Sequence, residues 1–587
     1  MANLVAALDN TTFTQSGEKQ HLEYGWSNNI QEKIAQFSFQ VTRTDEAGIT
    51  RLKNVLTNIL TDLKTKFDAA KDTNNLVDME TTSHYLSVLY KMIGHTRDII
   101  SGKGECDLTY MMITAWYDFY PELALFAINC LVDLDTSHQY GSWKDMKYLC
   151  KYFSKNFAGS SDELLAHPLI QYCVQLMNHQ LRKDIENKHQ GATVSLLSKW
   201  IPRESSSSSF LYQLLAVDFF PTYIQTSTAT TRSKAITKAK MDYRKIISQL
   251  NKHLDTLEIK QCDKSWASID FSHVTSVAIS KQRKAFLNKK VKGGLDRHPH
   301  DDDRVQCAIH FTEHIEKCVL SKKEVKGARI GMVDFAKQAI LLTYSQNKDP
   351  VLKKLLNSQW RDNSKQTGSL GNMIAMVDVS GSMDGDPLHA AIALGIRIAE
   401  NSTLGKRVMT FSSKPKWVNL EHCAGDFVEQ VKTVKGSEWG TNTNFEIALD
   451  NILSVIVQNK LPAADAEDMI LVILSDMQMD QGDRSNKDVL YERMTRKYAE
   501  AGMKICGQPY KPPHILFWNL RSTSGFPVLS SQKNTSMMSG FSAALLNLFC
   551  DEGMNALKSC TPWSLLLKSL DNERYSILGN KLEEIVQ

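Results

Sequence analysis

From about residue 46 to residue 354, apolar side chains recur at spacings of three and four, the pattern of helices with one buried face. Leu52, Val55, Leu56, Ile59 and Leu60 begin the series, and similar stripes run through 85–93, 108–117, 123–134, 165–177, 210–220 and 243–257. Pro121, just after Tyr120, reads as the first turn of a new helix, where a missing amide hydrogen leaves no bond unmade. No run in this region reads as a β-rich sheet. Many successive helices with short polar joints predict stacked helical pairs, although no fixed sequence period is visible. Residues 1–45 mix polar and aromatic positions without a period, so an irregular arm lying on the body is expected. The serine run 205–209 reads as a loop. Residues 289–304, with Gly-Gly, Pro and the acidic run 301–303, read as an exposed linker.

Beyond a polar stretch at 359–370 the pattern changes. Residues 373–377 are a continuous apolar run ending in Asp378, and 408–411, 469–474 and 515–518 are similar short runs. Between them lie amphipathic stretches at 388–399 and at 445–457, the latter carrying Ile447, Ala448, Ile452, Val455 and Ile456. Short all-apolar strands alternating with helices predict a parallel sheet covered on both faces, an α/β doubly wound, Rossmann-like domain. Its ligands are expected at the carboxyl ends of strands, where both Asp378 and Asp476 fall. The chain therefore divides into an arm (1–45), an all-α helical region (46–358), an α/β domain (371–565) and a helical tail (566–587).

Composition adds limits. A chain of 587 residues exceeds one ordinary core, in keeping with several domains. No apolar stretch approaches the ~20 residues that span a bilayer, so no membrane role is expected. The first ten residues lack the basic flank of a signal peptide. The 11 cysteines are odd in number, show no C-x-x-C pairing and scatter through apolar runs, which predicts free thiols in a reducing, cytoplasmic setting. From Gly371 onward, Lys and Arg number 21 against 25 Asp and Glu, leaving 48 against 40 for the part before it. That basic excess hints at a polyanionic partner, although a solvated basic face produces the same count.

The run Val-Asp-Val-Ser-Gly-Ser-Met at 377–383 carries the sharpest chemistry. A small hard cation such as Mg²⁺ takes six oxygens in near-octahedral geometry and gives up water reluctantly. Ser380 and Ser382, two apart on one loop, can point at a common centre while Gly381 lets the backbone turn. Carboxylates can hold such an ion through its bound waters. A third hydroxyl and a second carboxylate are needed from other loops. Thr441 and Thr443 in Trp-Gly-Thr-Asn-Thr, and Asp476 in Ile-Leu-Ser-Asp, stand at suitable places, and Thr441 is preferred because it directly follows the glycine. The competing reading makes Asp378 and Ser380 caps for a helix starting near Pro387. A phosphoryl-accepting role for Asp378 would call for Asp-x-Asp, and residue 380 is Ser.

These pieces resemble the metal-ion-dependent adhesion site (MIDAS) of von Willebrand factor A domains. The resemblance implies that Ser380, Ser382 and Thr441 ligate Mg²⁺ (or Mn²⁺ or Ca²⁺) directly, that Asp378 and Asp476 act through water, and that a partner's carboxylate fills an open position. Over most of the chain, segments 10–17, 140–145, 199–204, 243–251, 266–271, 284–286, 517–521 and 539–542 resemble landmarks of the DUF2828 family. That resemblance implies a helical N-terminal part and a C-terminal A domain. More distantly the architecture resembles the TROVE-domain Ro ribonucleoproteins, whose ring of HEAT-like helical repeats binds structured and single-stranded RNA. Segment 96–105 resembles part of that domain. It is not a phosphate-binding P-loop, because Gly104 stands where Ser or Thr would follow Lys103.

RNA contacts are accordingly expected at Arg97 and Lys103 and in the basic cluster holding Lys284, Lys289, Lys290 and Lys292, with solvated loops as the plainer reading of each. A second basic cluster lies at 322–329. Cys307, His310, His314 and Cys318 are zinc-ligating residue types, but their spacing spreads them over roughly 16 Å of one helix at ~1.5 Å per residue, beyond one tetrahedral ion. They read as a packed helix face. The function expected is a non-enzymatic, Ro-like RNA or ribonucleoprotein binder with a metal-dependent A domain for partner contact. The alternatives are a protein-interaction scaffold, including a virion or assembly component, and a metal-dependent hydrolase.

Overall fold

The computed structural model describes residues 14–18, 22–132, 139–290, 294–321, 323–344, 349–411, 415–437, 445–459, 462, 467–478, 490–550 and 559–586. The described part of the N-terminal arm contains regular structure rather than only irregular chain. Strands β1 (Thr14–Ser16) and β2 (Leu22–Tyr24) pair antiparallel, and helix α1 (Ile30–Gln40) follows. Asn29 caps that helix by accepting from the Glu32 amide at 3.0 Å. Ile34, Phe37 and Phe39 are buried, so aromatic residues without an evident period in the sequence become core on folding.

Eight longer helices follow: α2 (Glu46–Asp72), α3 (Leu76–Arg97), α4 (Asp107–Tyr117), α5 (Pro121–Cys130), α6 (Lys144–Asn156), α7 (Pro168–Gln190), α8 (Ser209–Phe219) and α9 (Arg232–His253). Asp45 and Asn75 cap α2 and α3 through the amides of Gly48 and Asp78, each cap contributing about 1 kcal/mol. Pro121 occupies the first turn of α5, as its ring geometry favours. Leu52, Leu56, Ile59 and Leu60 are buried in one core that runs on through α9 to Leu250.

A smaller core joins α10 (Ser276–Phe286) to α11 (Asp302–Leu320) through Ile279, Phe286, Phe311 and Ile315. The acidic run read as part of a linker instead starts α11. Asp301 caps it through the Arg304 amide at 3.3 Å, and Asp303 accepts from the amides of Trp266 and Ala267, both at 2.8 Å. On α11, Cys307 faces the core, whereas His310 is exposed and meets the Ala267 carbonyl at 3.0 Å. Cys318 Sγ lies 3.9 Å from His314 Nε2.

Helices α12 (Met332–Tyr344) and α13 (Pro350–Ser364) pack against the sheet, not the preceding helices. The polar stretch at 359–370 therefore begins inside α13, which ends at Ser364. Its Trp360 is buried, stacked on Phe427 at 3.9 Å and roofed by the Arg397 guanidinium at 4.2 Å from the ring centre. The sheet consists of β3 (Met373–Asp378), β4 (Arg407–Phe411), β5 (Lys416–Asn419), β6 (Ile470–Ser475), β7 (His514–Asn519) and β8 (Thr535–Ser539). Their order is β5-β4-β3-β6-β7-β8, parallel except for the antiparallel edge β5. One face is covered by α12, α13, α14 (Asp386–Asn401) and α15 (Phe427–Lys435). The other is covered by α16 (Phe445–Gln458), α17 (Leu490–Cys506) and Phe39 of the arm. Coverage of both faces is why β3, β6 and β7 read as unbroken apolar runs.

The last helices, α18 (Pro562–Leu570) and α19 (Glu573–Val586), return to the first helical core, where Leu578 and Leu582 pack with Leu86 and Leu89. The approach is close: a Cβ on Gly94 would lie 3.0 Å from Leu578 Cδ1. Among the described residues, no helix is long and apolar enough to cross a membrane.

Candidate metal centre

Strand β3 is followed in sequence by β4 on one side and, after a crossover, by β6 on the other. The crevice outside the carboxyl ends of β3 and β6 is thus the topological switch point of the sheet, where open α/β domains place ligands. Asp378 ends β3 and Asp476 follows β6 directly; both are fully buried.

Asp378 is held on both oxygens. Its Oδ1 accepts from the Ser380 amide at 2.9 Å and its Oδ2 from Ser475 Oγ at 2.7 Å. The hydroxyls of Ser380 and Ser382 lie 3.1 Å apart. Adjacent ligands of an octahedral ion bound at about 2.0–2.1 Å are about 3 Å apart, so this pair fits two neighbouring positions around Mg²⁺. Asp476 Oδ1 accepts from the Gln478 amide at 3.1 Å, whereas the buried Oδ2 has no hydrogen bond. Its nearest cation is the half-exposed guanidinium of Arg521, 3.7 Å away, which also donates to the Ser382 carbonyl at 3.4 Å. Burial, and next the charge of Asp476, push the Asp378 carboxyl up to about 6. Two carboxylates withdrawn from water, one with an unbonded oxygen, favour a cation between them. Met477, next in sequence, is buried with φ +62°, a left-handed conformation that costs a non-glycine residue roughly 1 kcal/mol and that commonly marks functional loops.

The capping alternative fails on geometry. Helix α14 starts after Gly385, with no side-chain cap, and the Asp378 oxygens are bonded to Ser380 and Ser475. Thr441 and Thr443 lie outside the described residues. Sequence reading assigned no part to Ser475 or Arg521. The first was legible as the hydroxyl just before Asp476; the second had no local signal.

The expected RNA contacts divide. Arg97 is buried and makes a two-pronged ion pair with Asp145, Nε to Oδ1 and Nη2 to Oδ2, both at 2.8 Å. Tyr110 and the Ser142 amide donate to the same carboxylate. Lys103 is also buried, donating to the carbonyls of Ser38 (3.1 Å) and Val41 (2.7 Å) and to Ser539 Oγ (2.7 Å). Neither cation can meet a phosphate without unfolding its surroundings. Segment 96–105 is instead a polar knot: Asp98 binds Arg574 at 2.8 and 2.9 Å, and Glu105 binds Arg43 at 3.2 and 3.0 Å. In the remaining cluster Lys289 pairs with Asp296 at 2.8 Å, Lys284 is half-buried, Lys290 is exposed, and Lys292 lies outside the described residues. Among the described residues, no three His, Cys, Asp or Glu side chains converge as a metal-holding group.

Fold and site together define the C-terminal part as a doubly wound α/β domain with a buried carboxylate–hydroxyl site at its switch point. Residues 372–569 match a family described as "Domain of unknown function (DUF7788)". Residues 167–295 match "Domain of unknown function (DUF2828)", which supports the family resemblance read from the sequence. Along most of its length the chain is similar to an uncharacterized protein of Acanthamoeba polyphaga mimivirus, with 28% identity over 574 residues covering 96% of this chain and 87% of that protein.

Proposed function

We propose that this protein is a non-enzymatic binding protein whose α/β domain is of the von Willebrand factor A type and holds a divalent cation, Mg²⁺ in the first instance. In this reading Ser380, Ser382 and Thr441 ligate the ion, Asp378 and Asp476 act through its waters, and a carboxylate from a protein partner completes the coordination. The observation that carries it is the convergence of Asp378, Ser380, Ser382 and the unbonded Asp476 Oδ2 at one switch point. The strand order, with an antiparallel edge beside the second strand, agrees with that domain type.

Titration calorimetry of the full chain with Mg²⁺, Mn²⁺ and Ca²⁺ tests the reading, with thermal melting alongside. Saturable heat and a raised melting temperature are expected, and Asp378→Ala should abolish both. No heat and no shift at millimolar Mg²⁺ would remove the metal site. Turnover of a phosphoester that Asp378→Ala eliminates would replace the binding reading with a hydrolase.

For the helical region we infer a HEAT- or TROVE-like platform for RNA or ribonucleoprotein. Its support is the basic excess before Gly371 together with the surface of α6 described next. A protein scaffold or virion component without RNA is the alternative, favoured if the purified chain carries protein but no nucleic acid.

A further inference from the structure

Helix α6 is strongly one-sided. Met146, Leu149 and Cys150 enter the core, and its one acid, Asp145, is consumed by Arg97. Lys144, Lys147, Lys151 and Lys155 follow one another at spacings of three and four, which places them along one face over about 16 Å at ~1.5 Å per residue. Like charges at such spacings repel, and the Lys147 ammonium is held below its ordinary pKa by burial and then by Lys151. Among the described residues, the outermost, Lys155, has an ion pair from a neighbouring helix, with Glu46 of α2. Tyr148 and Tyr152 flank the row. Lysines interleaved with aromatic rings on an exposed helix are the combination absent from the clusters singled out in the sequence.

Beside this row opens a cleft of about 650 Å³ between α2, α4 and α6, within the size range of small-molecule sites. Its rings are Tyr117, Tyr148, Tyr152, Phe153, Phe157 and His167. His167 gathers three of them, with ring centres 4.5 Å from Phe153, 5.1 Å from Tyr117 and 5.7 Å from Phe157. Lys53, Lys151 and Lys155 stand at the cleft, as do the carboxylates of Glu46, Asp107 and Asp118.

We propose that this cleft binds a nucleoside phosphate, its base against the rings and its phosphate on Lys151 and Lys53. Flat aromatic walls suit a base of any sequence, and ammonium groups suit phosphate oxygens. Carboxylates accept hydrogen bonds from ribose hydroxyls or exocyclic amines, so Asp107 and Asp118 have a use that a simple anion would not give them. An acidic peptide would engage the lysines but leave the rings idle. The proposal rests on the platform reading of the helical region and gives it a location. The nucleotide can come from single-stranded RNA or from a free mononucleotide.

Fluorescence anisotropy of the full chain with a labelled single-stranded RNA oligomer, with AMP as competitor, tests it. Tyr148→Ala and Lys151→Glu alter exposed side chains, and unchanged melting temperatures would verify that both variants fold. Tyr148→Ala should weaken RNA binding at least about fivefold, the lower end of a lost base stack. Lys151→Glu should weaken it more and flatten the salt dependence of affinity by about one phosphate contact. Competition by AMP would identify the cleft as a mononucleotide site, and variant-sensitive RNA binding without competition would assign the source to the strand. RNA bound equally by wild type and both variants overturns the cleft while leaving the platform reading intact. A wild-type chain that binds neither RNA nor AMP overturns both.

Discussion

Two residues, His95 and Lys103, at the knot formed by 96–105 make stability depend on pH in a defined direction. His95 is buried beside Lys103, and burial, aided by that cation, lowers its pKa from 6.5 to about 3. The unfolded chain therefore takes up a proton below pH 6.5 that the folded chain refuses until about pH 3, so stability is full above 6.5 and falls as pH drops towards 3. The loss should reach about 2 kcal/mol by pH 5. Lys103, lowered from 10.5 to about 7 by burial, acts in the alkaline range: between those values the unfolded state binds more protons, so stability rises with pH. Denaturant melts from pH 4 to pH 10 should climb through both windows. His95→Gln should remove the acid limb, and an unchanged limb would assign it elsewhere. Neither residue announced this from sequence. Lys103 sits in Ser-Gly-Lys-Gly-Glu, which reads as a solvated turn; its burial is imposed by Ser38, Val41 and Ser539, up to 436 positions away.

At the level of elements, α19 is tied down by a buried charged contact as well as by its apolar face. Arg574 binds the fully buried carboxylate of Asp98 with two nitrogens, and Tyr575 donates to it at 3.1 Å. Removing Arg574 strands a buried charge, which costs about 3–5 kcal/mol. Arg574→Ala should lower stability by that amount, whereas Asp98→Asn with Arg574→Ala should recover part of it; a loss below about 1 kcal/mol would mean that the pair is only peripheral. Strands differ in how clearly they can be read. Buried β3, β6 and β7 stand out because both of their faces are apolar. Strand β8, Thr-Ser-Met-Met-Ser, is equally buried but disguised, since its hydroxyls find partners: Thr535 donates to the Gln532 carbonyl, Ser536 meets His514, and Ser539 reaches the arm. Strand β5 is a short, exposed edge whose letters resemble a loop.

Across the whole molecule, chain order and packing order disagree. The arm joins the sheet through Phe39 and a β-bridge between Tyr24 and Phe526, while the C-terminal helix completes the first helical core. Ending the chain after Asp571 would remove Tyr575, Leu578 and Leu582 from that core. Such a truncation should destabilise α2–α5 before the sheet. Limited proteolysis with mass spectrometry should find the first cuts before residue 132, and first cuts within 373–539 would contradict this coupling.

Local spacing alone determined the helical character of the first half, the alternating strands and helices of the second, and the position of Asp378, Ser380, Ser382 and Asp476 at strand ends. Those properties depend on residues a few positions apart, which periodicity reports directly. Only the tertiary structure decided that Arg97 and Lys103 lie inside and that Arg521 stands over Asp476. It also decided that lysines of α6 share a cleft with Tyr117 of α4 and His167 at the start of α7. Burial and charge pairing between distant segments settle such matters, and no short window of sequence contains both partners.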